Sequence, residues 1–288
     1  MHCVFHKRTV PSIFWTLQSQ SMSETIWSGF EAHRVQAYQP SQYGFVFLAG
    51  TDWRAYLPMR PSDRSQPVIN LIQHVRHADP ASDVYPFLTE KAIRICVSAE
   101  VEQMILASGR VNGPTFTIPN GVDIKALASY AQPKVANSVY VLGNKQPVLA
   151  REIELQLRQH GMDVQCHAEH VDRSQVLQAM ARADVSVLLP HETEGFYLPA
   201  LEAMALDSLT IVPDCVGNRG FCRTGDTCTM PVMTIDAMLD AVDHTLKMLG
   251  SGAALDMRKR ARAQVAEHDL RRERAAFHDI LDNLDTIW

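Results

Sequence analysis

Two carboxylates eight positions apart, Glu194 and Glu202, bracket the stretch of this chain with the clearest capacity for chemistry. Ahead of them an apolar run, Val185 to Leu189, reads as a strand buried on both faces, and it stops at Pro190. The loop Glu194-Gly195-Phe196 follows, and Pro199 falls where the first turn of a helix tolerates a residue without an N–H. A helix start of this kind presents unpaired backbone donors and the positive end of its dipole, which together seat a diphosphate. Gly195 lacks a Cβ, so backbone there can approach a ligand closely. With Glu194 before the helix and Glu202 on its first turns, the acids can accept hydrogen bonds from hydroxyls on either side of the phosphates. A diphosphate with hydroxyls at both ends is the outline of a sugar nucleotide. In isolation, two acids at this spacing would more simply be a helix cap and a solvated side chain, so the surrounding chain has to decide.

Positioning these residues requires strands, and the chain supplies apolar runs at regular intervals. Gly44 to Leu48, Val68 to Ile72, Ile93 to Val97, Ser138 to Leu142, Val164 to Cys166, Val185 to Leu189 and Leu209 to Val212 are the predicted strands. Helical patterns separate most of them, among them an amphipathic helix from Val171 to Ala183. Alternation of this kind predicts an α/β fold with parallel sheets covered on both faces. Gly113-Pro114, Pro119-Asn120-Gly121 and the polar stretch around Gln132-Pro133-Lys134 mark a linker between two such units. Two Rossmann-like domains facing each other across a cleft follow, with ligands expected at the carboxyl ends of the strands.

The whole string Glu194-Gly-Phe-Tyr-Leu-Pro-Ala-Leu-Glu202-Ala-Met-Ala, then Leu209-Thr-Ile-Val212 and Asp214-Cys-Val-Gly-Asn218, resembles the signature of the retaining GT-B glycosyltransferases of group 1, family four. Ile93-Arg-Ile-Cys-Val-Ser98 running into a helix, and Phe116-Thr-Ile-Pro-Asn-Gly-Val-Asp123, resemble that family's last N-terminal strand–helix unit and the start of its inter-domain linker. The resemblance spans about residues 90 to 285, and the first 65 residues carry no family motif. It implies a GT-B fold with a shortened acceptor-side domain over residues 1–125, a nucleotide-sugar-binding domain over 126–265 and a C-terminal helix over 266–288 that returns to the first domain.

Several further residues gain roles from that resemblance. Lys145, in Gly143-Asn144-Lys145 beyond the Ser138 strand, lies where relatives keep a cation against the donor diphosphate, although the usual Arg ahead of a Lys-Gly is replaced here by Asn144, Lys145 and then Arg151. His74 and His77, with Arg76 between them, follow the Val68 strand where the family places a histidine that reaches the donor sugar. Extended backbone would put His74 and Arg76 on one side and His77 on the other, and His77 is the favoured candidate because its run leaves the strand. Gly217, Asn218 and Arg219 occupy the family's glycine-bearing loop, where backbone N–H groups face sugar and phosphates and Arg219 could add a cation. A plain turn would also use Gly-Asn. His167 and Glu169 lie where the base docks. Glu194 would hold the sugar hydroxyls and Glu202 the ribose, with Gly195, Phe196 and Leu198 completing the donor seat.

Composition narrows the alternatives. A net charge of −5 and a pI near 6.2 give no general attraction for nucleic acid. No run approaches a membrane span, and Met1 to Arg8 carries its charges after its apolar residues, so no secretory signal is expected and residence is expected to be cytoplasmic. Arg258, Lys259, Arg260, Arg262, Arg271, Arg272 and Arg274, on a helical segment from Asp256 to Leu284, could touch an anionic inner membrane face, or could be a solvated surface with partners such as Glu267 and Glu273. None of the six cysteines forms a C-x-x-C pair, and no metal site is expected. The expected activity is transfer of a sugar from a nucleotide diphosphate, with retention and without cofactor or metal, to a glycan or lipid-linked acceptor in polysaccharide assembly. The second reading, motivated by the short N-terminal half and the altered basic motif, is a non-catalytic GT-B-like protein that binds a partner or a glycan. Paired carboxylates can also hydrolyse glycosidic bonds, but a phosphate-friendly helix start is not what a neutral sugar requires.

Overall fold

The computed structural model describes residues 39–288, so the expectation for Met1 to Arg8 lies outside it. Among the described residues the strands form two four-stranded sheets. The first holds β1 (Val46–Ala49), β2 (Val68–Ile72), β3 (Ile93–Cys96) and β4 (Thr115–Thr117), in that order and all parallel. The second holds β5 (Val135–Leu142), β6 (Asp163–His167), β7 (Ala183–Leu188) and β8 (Leu209–Ile211) in the order β6-β5-β7-β8, again all parallel. The helices are α1 (Trp53–Tyr56), α2 (Ala99–Ala107), α3 (Ile124–Ala128), α4 (Pro147–Gln159), α5 (Arg173–Arg182), α6 (Leu198–Ala205), α7 (Ile235–Met248), α8 (Gly252–Glu267), α9 (Leu270–Asp282) and α10 (Leu284–Ile287).

The apolar runs form strands because each is wanted on both faces. In β5, Val139 and Val141 join a layer with Ile153 and Leu157 of α4 and Met238 and Val242 of α7. Tyr140 and Leu142 point the other way, into a layer with Leu177 and Met180 of α5 and Leu201 and Met204 of α6. In the first lobe, Ile69, Leu71, Ile93 and Ile95 pack with Val101 and Ile105 of α2, and Ile280 of α9 closes the same cluster. On the opposite face Leu48 and Val68 meet Trp53 and Tyr56 of α1. Capping matches the sequence locally: the Val101 N–H donates to Ser98 Oγ at 3.2 Å at the start of α2, and the Ala126 N–H to Asp123 Oδ1 at 2.9 Å at the start of α3.

Three local expectations change. Thr115–Thr117 pairs with β3 as a fourth strand, where the sequence read only as the approach to the linker. Val75–Ala78 is a 3-10 turn rather than extended backbone, so side chains there do not alternate. The helical stretch from Asp256 to Leu284 is broken at His268, because Asp269 caps a new helix by accepting from the Arg271 N–H at 2.8 Å.

That break has a purpose in the architecture. The Val122 N–H donates to the His268 carbonyl at 2.8 Å, and the Leu270 N–H donates back to Val122 at 3.0 Å. The Gly121 N–H donates to Glu273 Oε2 at 2.6 Å, which takes Glu273 away from the arginines that the sequence offered it. The two places where the chain passes between lobes are therefore bonded to each other. A Cβ on Gly121 would lie 2.5 Å from Leu270 Cα, so this close approach depends on glycine. Beyond it, Phe277, Leu281, Leu284 and Trp288 pack on the first lobe.

Candidate functional site

The order β6-β5-β7-β8 sends the chain from β5 to one side and then back across it to β7. The carboxyl ends of β5 and β7 thus flank the point where the winding reverses, the place where an open parallel sheet leaves a crevice. The turn after β5 carries Lys145, and the loop after β7 carries Glu194. They meet: Lys145 Nζ donates to Glu194 Oε1 at 2.5 Å, with the lysine side chain 46% exposed and the carboxylate 18%. Gly143 is needed for the turn, since a Cβ there would fall 2.1 Å from Ala150 Cβ on α4. Asn144 is exposed on it.

Glu202, one turn into α6, is buried with a side chain 6% exposed, and Oε1 accepts from Arg173 Nε at 3.0 Å and Nη2 at 2.5 Å. Between the two acids lies the start of α6, where Leu198 is half-buried, Pro199 brings no N–H and no side chain caps the amides. Both acids turn inward and each has a cation. Nearby, Tyr140 donates to or accepts from His167 Nδ1 at 3.0 Å. Burial above all, with the Glu202 charge a smaller cause, raises the Tyr140 phenol above its ordinary range.

The first lobe closes on this loop. His74 and Glu194 form an isolated antiparallel bridge. Gly195 owes its smallness to that contact rather than to a ligand, because a Cβ would sit 2.0 Å from the Gln73 carbonyl oxygen. Gly217 serves likewise inside the second lobe, where a Cβ would meet the Phe196 nitrogen at 2.5 Å. Phe196 packs against Phe221 and His268, with ring centroids 5.3 and 5.6 Å away, and so ties the loop to the C-terminal crossing.

The two histidines exchange the ranks that the sequence suggested. His74 sits at the seam: Nδ1 accepts from the Arg76 N–H at 3.0 Å, so Nε2 carries the proton and faces Thr193 Oγ1 at 3.2 Å. Burial, then the Arg76 guanidinium, holds His74 below the ordinary imidazole value. His77 is only 4% exposed, and burial first, then Arg76 and Arg94, drives it to about 4. It is a neutral core histidine of the 3-10 turn.

The glycine-bearing loop also differs from expectation. Asn218 is fully buried and spends its side chain on its own turn, accepting from the Cys215 N–H at 3.1 Å and donating to the Pro213 carbonyl at 2.8 Å. The Val216 N–H goes to Glu192 and the Asn218 N–H to Cys215, so these amides are already committed. Arg219 is exposed and paired with Asp214 at 2.7 Å, and Arg151 with Glu169 at 2.5 Å. Neither is directed at the acids. Arg173 is the residue that sequence reasoning missed. The only signal was a cation on the first turn of the helix before β7, 29 positions from its partner.

On the C-terminal helices Arg258, Arg260, Arg262, Arg271 and Arg272 pair with Asp184, Asp226, Asp207, Asp269 and Glu267 respectively. Among the described residues no helix is long and apolar enough to cross a membrane. Cys96, Cys166, Cys215, Cys222 and Cys228 are free thiols.

Residues 105–248 match the family described as "Glycosyl transferases group 1". No curated protein matches the chain significantly. Among solved structures, a glycosyltransferase from Rickettsia africae is similar at a TM-score of 0.66 and 14% identity, over 83% of this chain and 76% of that one. A sucrose-phosphate synthase from Thermosynechococcus elongatus is similar at 0.63 and 17%, over 85% and 74%. Anabaena HepE in complex with UDP-glucose is similar at 0.59 and 13%, over 76% and 73%. At such identities the likeness shows the fold, two parallel sheets in the GT-B arrangement.

Proposed function

Because this chain belongs to the group 1 glycosyl transferases, we propose that its sugar transfer takes a nucleotide-diphosphate donor, proceeds with retention, and uses Glu194, Glu202 and Lys145 as the donor's principal contacts. One observation carries this reading: the acids of the E-x7-E pair both turn inward at the crevice, on either side of an uncapped helix start, and each is held by a cation. The donor phosphates would lie at the start of α6, Glu194 would accept from the sugar hydroxyls and Glu202 from the ribose. Lys145, released from Glu194 by those hydroxyls, would meet the charge that grows on the departing diphosphate. The C1–O bond to the diphosphate breaks, the acceptor oxygen bonds to C1 on the same face, and the acceptor proton passes to the leaving phosphate. The protein's share is positioning and charge compensation by Lys145 and the helix dipole, with no resident cofactor or metal in the scheme.

The residue 126–265 segment is the donor lobe in this reading, and residues 1–125 the side that receives a glycan or lipid-linked acceptor in polysaccharide assembly. The solved complex of HepE with UDP-glucose supports starting from uridine nucleotides. Calorimetric titration with UDP, GDP and dTDP tests the proposal. Glu202→Ala should weaken whichever nucleotide binds, and Glu194→Ala should abolish transfer while leaving the nucleotide bound. Failure of all three nucleotides to bind would leave the non-catalytic, partner-binding reading in its place.

A further inference from the structure

We infer that Arg173 is the positioning residue that sets the Glu202 carboxylate for the donor's ribose hydroxyls, an inference that rests on the donor reading of this site. Two nitrogens of one guanidinium, Nε at 3.0 Å and Nη2 at 2.5 Å, converge on a single oxygen, Glu202 Oε1. Two donors of one planar guanidinium on one oxygen hold that oxygen in place with more directional constraint than a lysine's point charge would. Among the described residues no donor reaches Oε2, so the second oxygen is left to accept from a ligand.

The burial is asymmetric in the sense this role requires. The Glu202 side chain is 6% exposed and Arg173 54%. A buried carboxylate needs a hydrogen-bonded partner, and a partner that stays half in water can remain in place while a ligand arrives at the other oxygen. The neighbouring phenol does not compete for the acid, because the Tyr140 hydroxyl is engaged with His167 Nδ1 at 3.0 Å. Arg173 opens α5, whose far end leads directly into β7. It therefore belongs to the same rigid lobe as the acid it holds.

Arg173 touches Glu202 rather than the reacting atoms, so its loss should appear in donor recognition. Titration of the full-length protein with UDP, GDP and their 2′-deoxy forms gives the readout. The wild type should prefer the ribonucleotide. In Arg173→Ala affinity for it should fall about tenfold and the preference over the 2′-deoxy form should collapse toward one. Affinity for the 2′-deoxy form should change little, and in turnover the loss should fall on the donor KM rather than on kcat. Arg173→Lys should recover part of the affinity and less of the preference. Should Arg173→Ala melt early, Arg173→Gln carries the same ratio. A wild type that binds none of UDP, GDP and dTDP overturns the donor reading and this inference with it, and one that binds nucleotide without preferring the ribose form overturns this inference alone. A wild type that prefers the ribonucleotide, with a preference unchanged in Arg173→Ala, overturns this inference alone.

Discussion

Replacing Gly195 by alanine tests whether the seam between the lobes is as tight as its geometry states. A Cβ at this position would lie 2.0 Å from the Gln73 carbonyl oxygen, 2.7 Å from its carbon and 3.2 Å from His74 Cα. All three are backbone atoms, so no flexible side chain can swing aside, and the nearest separation must grow from 2.0 Å to at least 3.4 Å. Overpacking of this kind costs about 1–3 kcal/mol. The cheapest relief is for the first lobe to back away, which breaks the His74–Thr193 contact at 3.2 Å and the bridge between His74 and Glu194. For a chain of this length the loss corresponds to a fall in Tm of roughly 2–6 °C. Thermal melting and small-angle scattering, run beside transfer kinetics, measure both arms: a lower Tm and a larger radius of gyration. Gly217→Ala is the control, since its Cβ would strike Phe196 and the Glu194 carbonyl within one lobe, at 2.5 to 2.7 Å, and backing away gives no relief. It should melt early without expanding. A Gly195→Ala protein that melts within about 1 °C of the wild type at unchanged dimensions would refute the reasoning.

Three further outcomes follow from particular residues. Lys145→Ala should lower kcat/KM about a hundredfold, as loss of a charge-stabilising donor does, and a loss under about threefold would remove Lys145 from the diphosphate. Arg94→Met should lower the unfolding free energy read from urea titration by about 3 kcal/mol, because Arg94 is fully buried and donates to Asn70 Oδ1 at 2.6 Å and to the carbonyls of Phe87 and Glu90 at 2.8 and 2.6 Å. His77 stands at about 4 in the folded chain against an ordinary 6.5, so the unfolded state takes up its proton first as pH falls. Stability from this group is complete above 6.5 and drains away as pH falls to about 4, by roughly 3 kcal/mol. Urea titrations of His77→Gln should show that slope reduced.

The strands were legible because each is an apolar run with both faces covered, and Val139 to Leu142 illustrates the rule, sending alternate side chains into two different layers. Thr115–Thr117 escaped notice because three half-buried residues with one aromatic carry no period. The acids and Lys145 were legible from the family resemblance of their surroundings, but the pairings were not: Lys145 meets Glu194 across 49 positions and Arg173, which the sequence did not single out, meets Glu202 across 29, distances over which sequence pattern is silent. The glycines misled in an instructive way. Gly195 and Gly217 both signal close approach, yet what approaches is the protein's own backbone. The sequence favoured His77 over His74 on an extended-backbone reading, and the 3-10 turn instead makes His74 the seam residue and His77 the core one.

Stitching Val122 to His268 and Leu270 gives the molecule a single spine, as in a book whose two covers share one binding. The ion pairs Lys145 with Glu194 and Arg173 with Glu202 are printed on one cover, whereas the His74–Glu194 bridge, His74 with Thr193 and Gln73 with Gly195 join the facing pages. A parting of the two pages would break the seam contacts and leave the acid pairs assembled.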